Sequence, residues 1–214
     1  MAASKLVAAA KGLRAVESRI IVRQRLEGLP DRRGHRRDSA VHVQNASLSE
    51  GVSVMRGLVV YDSYFGNTKL VAETIANELE NQGLESELRS VRKKYPVSPQ
   101  GDLLFLGSPV RMGSTTRRIK KYVERLDKGS WGGKPVVVFT TILALPENPA
   151  AERIESREKY DLMAGRKLAE RARAEGLNVL DDQLWVDVGG LKGPLVETGL
   201  EQTKQFTRKI LGRL

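Results

Sequence analysis

The chain has 214 residues, with 36 Lys and Arg against 26 Asp and Glu, a net charge of +10 and no cysteine. Without cysteine there are no disulfides, thiolate metal sites, iron–sulfur ligands or cysteine nucleophiles; the two histidines, His35 and His42, both lie in an early polar stretch and argue against a histidine triad or a histidine-rich metal centre. No run of about 18 apolar residues is present to span a bilayer, so any chemistry must come from hydroxyls, backbone, carboxylates, cations or a borrowed cofactor.

Composition changes at Met55. Residues 1–54 carry 10 Lys and Arg against 5 acidic residues, which puts half the excess charge in a quarter of the chain. Residues 1–29 have the apolar spacing of a basic amphipathic helix (Leu6, Leu13, Val16, Ile20, Ile21), and Pro30–Ser39 is almost devoid of apolar side chains. Three readings compete: a disordered tail, or translated sequence upstream of a true start at Met55; an organellar transit peptide, against which the five acidic residues argue; and an arm for nucleic acid or an anionic surface, which has no aromatic residue to stack on bases. The first is adopted, with residues 1–54 as a basic extension and 55–214 as the folded domain.

From Gly57 the pattern is regular. Gly57–Asp62 is a short apolar run, read as a buried strand; Thr68–Gln82 follows as a helix with Val71, Ile75 and Leu79 inward, stopped by Gly83. Leu84–Val91 reads as a second strand and Tyr95–Gly101, with two prolines, as a loop. Asp102–Gly107 is a third strand. Thr116–Leu126 is a helix with Ile119, Val123 and Leu126 on one face. Pro135–Thr140 is a fourth strand, the most β-branched. Ile154–Glu175 is a long helix with Leu162, Met163 and Leu168 inward. Asn178–Val188 is a fifth strand, broken by a turn at Asp181-Asp182, and Glu197–Leu211 is a last helix with Leu200, Phe206 and Ile210 in the core. Continuous apolar strands alternating with helices predict a parallel sheet covered on both faces, in a doubly wound α/β domain. In such sheets ligands bind beyond the carboxyl ends of the strands, where strand order reverses.

The loop after the first strand, Asp62-Ser63-Tyr64-Phe65-Gly66-Asn67-Thr68, places hydroxyls at the mouth of a helix. Unpaired N–H groups and the positive end of the helix dipole favour an anion there. Ser63 and Thr68 can donate to the same anion, and Gly66 permits close backbone approach. With no lysine after the glycine and no triple-glycine spacing, the loop is neither a triphosphate P-loop nor a dinucleotide fingerprint; neutral donors suit a single phosphate monoester. The alternative use of such a turn is a helix cap made by Asn67 or Ser63, with no ligand.

The pattern Val59-Val60-Tyr61-x-Ser63-x-x-Gly66-x-Thr68-x-x-x-Ala72-x-x-Ile75 resembles the flavodoxin signature. Asp102–Leu126, Gly132-Gly133-Lys134-Pro135 and Gly189–Leu195 are similar to later parts of the same family, and the resemblance covers roughly residues 57–212. It implies a flavodoxin-like five-stranded parallel sheet of order 2-1-3-4-5, FMN as cofactor, and one- or two-electron transfer. It places the phosphate loop on Ser63, Tyr64, Phe65, Gly66, Asn67 and Thr68. A second flavin loop falls on Ser108, Pro109, Val110, Arg111, Met112, Gly113 and Ser114, where a backbone carbonyl would accept from the reduced N5 and Gly113 would permit the peptide rearrangement. A third falls on Thr140, Thr141 and Ile142, continuing to Pro146.

The second and third loops hold no Trp or Tyr to stack on a flavin; Trp131 and Trp185 lie elsewhere, leaving Val110, Met112 and Ile142 to contact the ring. Arg111, Arg117, Arg118, Lys120 and Lys121 cluster after the second loop. A cation near the flavin favours its anionic reduced form. The same cluster suits an acidic redox partner or the phosphates of NAD(P)H, or is the solvated face opposite Ile119 and Val123. The reading is a cytoplasmic FMN-binding electron carrier in which no side chain is an acid, base or nucleophile. The alternatives are an FMN-dependent NAD(P)H oxidoreductase with a quinone-type acceptor, and a flavin-free interaction module of the same fold. No nucleic acid or membrane is expected as partner.

Overall fold

The computed structural model describes residues 54–93 and 100–214. The extension expected over residues 1–54 lies outside them except for Val54, and so do residues 95–99 of the expected loop. In chain order the elements are β1 (Arg56–Tyr61), α1 (Asn67–Asn81), β2 (Glu85–Ser90), β3 (Leu103–Pro109), α2 (Arg117–Arg125), the short α3 (Lys128–Trp131) and β4 (Pro135–Leu143). A helical run follows as α4 (Ala151–Ser156), a π-helical stretch (Arg157–Leu162) and α5 (Met163–Ala174), and then β5 (Asn178–Val188) and α6 (Gly199–Leu211). All ladders are parallel and the sheet order is β2-β1-β3-β4-β5, the doubly wound flavodoxin-like arrangement.

The apolar runs are continuous because both faces of the central strands are covered. Leu58, Val60, Leu104, Leu106, Val136 and Val138 pack on one side with Ile119, Val123, Trp131, Leu168 and Ala172. The alternate residues Val59, Tyr61, Leu103, Phe105, Val137 and Phe139 pack on the other with Val71, Ile75, Leu79 and Ile210. Strand order reverses between β1 and β3, and the two are tied at their carboxyl ends by Asp62 N–H donating to the Gly107 carbonyl at 3.0 Å. That crevice is where the loops after β1, β3 and β4 emerge.

Three expectations need correction. Asp181-Asp182 is not a turn: β5 runs through it, with Val136 opposite Val179 and Val138 opposite Gln183, so the extra residues bulge out of the ladder. Asp182 there accepts from Lys209 at 2.7 Å and pairs with Arg213; these cations, the Lys209 hydrogen bond first, hold its carboxyl below the usual range. Leu200 is 38% exposed. The buried face of α6 is Gly199, Thr203, Thr207 and Ile210. Both threonine hydroxyls donate to the carbonyl four residues back, at 2.7 and 2.9 Å, so their polar atoms are satisfied inside the core. Finally, the long helix buries Ala164, Gly165, Leu168, Ala169 and Ala172, while Leu162 and Met163 are half-buried.

Glu78 of α1 is a buried carboxylate, clamped by Arg208 of α6 (Nε to Oε1 2.7 Å, Nη2 to Oε2 3.3 Å) and by Gln82 (3.0 Å). The Arg208 hydrogen bond holds its carboxyl below the usual range against the opposing effect of burial, and Gln82 adds to the lowering. A folded pKa below the unfolded one means that the pair stabilises the domain above the unfolded carboxylate's pKa, and that this contribution is lost as pH falls through the lowered folded value. Arg208→Met is therefore expected to be destabilised relative to wild type at neutral pH, with the gap closing below about pH 4. Denaturant titrations at neutral and acid pH check this; a gap independent of pH would refute it.

Candidate functional site

The first loop builds an open helix mouth. Gly66, at φ 97°, precedes the first turn of α1, and no side chain caps that turn. The left-handed conformation is one that glycine adopts without strain. The cap reading of Asn67 or Ser63 is thus not realised: Ser63 Oγ accepts from Gly66 N–H at 3.1 Å, outside the helix. Thr68 is buried, and its hydroxyl lies 2.8 Å from that of Thr141, joining the first loop to the end of β4.

The second loop leaves β3 at Pro109 and closes as a tight turn. Val110 N–H donates to Thr141 O (2.8 Å), Arg111 N–H to Ser114 O (2.9 Å) and Ser114 N–H to Arg111 O (3.1 Å). Both central residues, Met112 (φ 50°) and Gly113 (φ 67°), have positive φ, as in a type I′ turn. Met112 is fully exposed at the tip. Ser108 is buried; its hydroxyl accepts from Thr116 N–H at 3.0 Å and donates to Pro109 O, fixing where the loop ends and α2 begins.

These loops enclose a cavity of about 390 Å³, within the size range of small-molecule sites. Of the expected site residues, Ser63, Tyr64, Phe65, Asn67, Thr68, Pro109, Val110, Arg111, Met112, Thr141 and Ile142 line it. Gly66, Ser108, Gly113 and Thr140 do not; Gly66, Ser108 and Gly113 shape the loops, and Thr140 packs toward Gly165 of α5. Leu143, in the expected continuation of the third loop, lines it as well, and five lining residues lie outside the expected loops: Asp161, Val188, Gly190, Leu191 and Lys192. The glycine-rich run after β5 was the available signal for Gly190–Lys192, because it leaves the same edge of the sheet as the other loops. Asp161, in the π-helical stretch, had no such signal.

Of the basic cluster after the second loop, Arg111 and Arg118 turn to Tyr64. Their guanidinium carbons lie 4.6 and 6.0 Å from its ring centroid, and Arg118 Nη1 donates to the Tyr64 hydroxyl at 3.2 Å. Arg92, at the end of β2, joins them at 4.2 Å and donates through Nε to the buried Asp62 at 2.6 Å. Lys120 Nζ donates to Ser114 Oγ at 2.7 Å, while Arg117 and Lys121 are exposed. No group of acidic or histidine side chains able to hold a metal ion occurs among the described residues, and no helix among them is long and apolar enough to cross a membrane.

No curated protein matches the chain by sequence. Solved structures share its fold. A flavodoxin from the domain Archaea superposes with a TM-score of 0.55 at 20% identity, over 74% of this chain and 98% of the other. Flavodoxin 1 from Bacillus cereus does so with 0.55 at 21%, over 74% and 99%. Rubredoxin oxygen:oxidoreductase from Desulfovibrio gigas does so with 0.55 at 15%, over 74% of this chain and 35% of that longer one. A flavodoxin domain model matches residues 58–179, and that span carries β1 to β4, both loops at the strand-order reversal and the start of β5. By that match, which takes in more than half of the sequence, the chain belongs to the flavodoxin domain family.

Proposed function

We propose that this protein binds FMN in the cavity at the strand-order reversal and works as an electron-transfer protein. The observation that carries the reading is the uncapped start of α1. A fifteen-residue helix opens on Gly66 with no side chain on its first N–H groups, and the Ser63 and Thr68 hydroxyls stand beside it on the cavity wall. Those donors fit a phosphate monoester. The cavity continues from them between Pro109–Met112 and Thr141–Leu143, which are mainly apolar and fit a flat ring system. Ser63, Asn67 and Thr68 would hold the phosphate, and Val110, Met112 and Ile142 would lie toward the ring with Tyr64 and Phe65 at its phosphate end. When bound, FMN supplies the one- or two-electron chemistry; the chain's residues anchor, orient and electrostatically tune it.

The test is the visible spectrum of the purified protein before and after adding FMN, together with quenching of flavin fluorescence. A bound-flavin spectrum is expected. A colourless protein that leaves added FMN fully fluorescent would remove this reading in favour of a flavin-free interaction module. A second reading, an FMN-dependent NAD(P)H oxidoreductase, is favoured by the cations Arg111 and Lys192 on the cavity wall and by the fully exposed Met112 where an aromatic cover would close the site. Turnover of NADPH with a quinone above that of free FMN would support it.

A further inference from the structure

We infer that the rim of this cavity, centred on Tyr64, is the docking surface for an acidic redox protein; the inference deepens the electron-carrier reading and rests on it. Three guanidinium groups converge on one half-exposed aromatic ring: Arg92, Arg111 and Arg118, with carbons 4.2, 4.6 and 6.0 Å from its centroid. They come from the ends of β2 and β3 and from α2, so the fold gathers them across three elements. Like charges this close repel. Arg92 is offset by Asp62, whereas Arg111 and Arg118 have no carboxylate partner among the described residues. Cation–π contact and the Tyr64 hydroxyl hold them in place, and their remaining N–H forks point to a ligand that supplies carboxylates.

The neighbouring apolar groups match the same occupant. Phe65, Met112 and Leu191 are 50%, 103% and 83% exposed around the cavity. Aromatic residues, Met and Arg are the side chains enriched where protein interfaces are fully desolvated. A single-stranded nucleic acid would also answer to the charge, but the patch is confined to the cavity mouth, where a bound protein is brought within electron-transfer reach of the flavin. The partner's reduced centre would give up one electron to FMN held in the cavity, with the Arg92, Arg111 and Arg118 guanidinium groups offsetting the added negative charge.

The test uses the full FMN-loaded chain and a photoreduced acidic [2Fe–2S] ferredoxin as probe, with stopped-flow reduction of the flavin and anisotropy of the labelled ferredoxin as separate readouts. The second-order rate is expected to fall with added salt, and Arg118→Glu to lower it about tenfold at low salt, with Arg118→Lys retaining most of it. Lys204→Glu on α6 serves as the remote control. A rate independent of salt, or an equal loss in Arg118→Glu and Lys204→Glu, overturns the proposal. So does a short single-stranded DNA that binds the rim more tightly than ferredoxin at physiological salt and is lost in Arg118→Glu. The flavin absorbance before mixing reports FMN separately. If it is absent, the electron-carrier reading fails, and the anisotropy still decides whether the surface binds the acidic protein.

Discussion

Replacing Ser63 by Asp is expected to raise the Kd for FMN by a factor on the order of 1,000 while leaving the ligand-free protein folded. Ser63 Oγ accepts from Gly66 N–H at 3.1 Å, and a carboxylate oxygen can take over that hydrogen bond. An acidic side chain near a helix N-terminus is also favoured by the dipole, so the loop keeps its support. What changes is the charge facing the cavity. Two like charges about 4 Å apart at an effective dielectric constant near 20 repel by roughly 4 kcal/mol. Ser63→Ala, which removes a neutral donor to the phosphate together with the acceptor of Gly66 N–H, is expected to cost about 1 kcal/mol of binding. Riboflavin, which has no phosphate, separates this effect from general damage to the cavity: its affinity should be the same in wild type and Ser63→Asp. Fluorescence-quenching titrations with both flavins check the pair. FMN binding unchanged in Ser63→Asp would place the phosphate elsewhere.

The parts of this site legible in the sequence are those whose residue type and chain neighbourhood settle their position. β1, β3 and β4 are buried on both faces, so each is an unbroken apolar run, and the hydroxyls of the first loop sit next to the helix they serve. Arg92 was not legible, because β2 is a half-buried edge strand whose end meets Tyr64 only through its parallel pairing with β1. Asp161 lines the cavity because the π-helical stretch packs against the second loop, with Tyr160 beside Gly113, a tertiary contact without a local pattern. Gly190–Lys192 lines the cavity because β5 ends at the same edge as β4. The aromatic groups beside the cavity, Tyr64 and Phe65, come from the first loop, where the sequence places them; the second and third loops have none. Asp181-Asp182 was misread because two adjacent aspartates suit a turn as well as a bulge; the cations of α5, α6 and the carboxyl terminus decide between them.

Gly107 is where packing and site formation meet, and Gly107→Ala is expected to destabilise the domain by about 1–3 kcal/mol. Gly107 and Phe139 are register partners on β3 and β4, and a methyl group at Gly107 would lie 2.0 Å from Phe139 Cζ and 2.4 Å from Cε2. The ring is fully buried and packs in one cluster with Phe105, Val137, Leu184 and Val186, so it has no open space into which to swing. At roughly 2–4 °C per kcal/mol for a domain of this size, the melting temperature should fall by about 2–12 °C. The second loop of the proposed FMN site begins at the next residue, Ser108, and the Gly107 carbonyl holds Asp62 N–H at the crevice, so FMN affinity should fall along with stability. The physical cause is isolated by a second change. Phe139→Leu alone removes buried ring area and should destabilise, but in the Gly107→Ala background it frees the space the methyl needs. The double variant is therefore expected to be more stable than the sum of the single changes by about 0.5–3 kcal/mol. Strict additivity in denaturant titrations would mean that backbone freedom at Gly107, and not the Phe139 ring lying over it, is what excludes a side chain there.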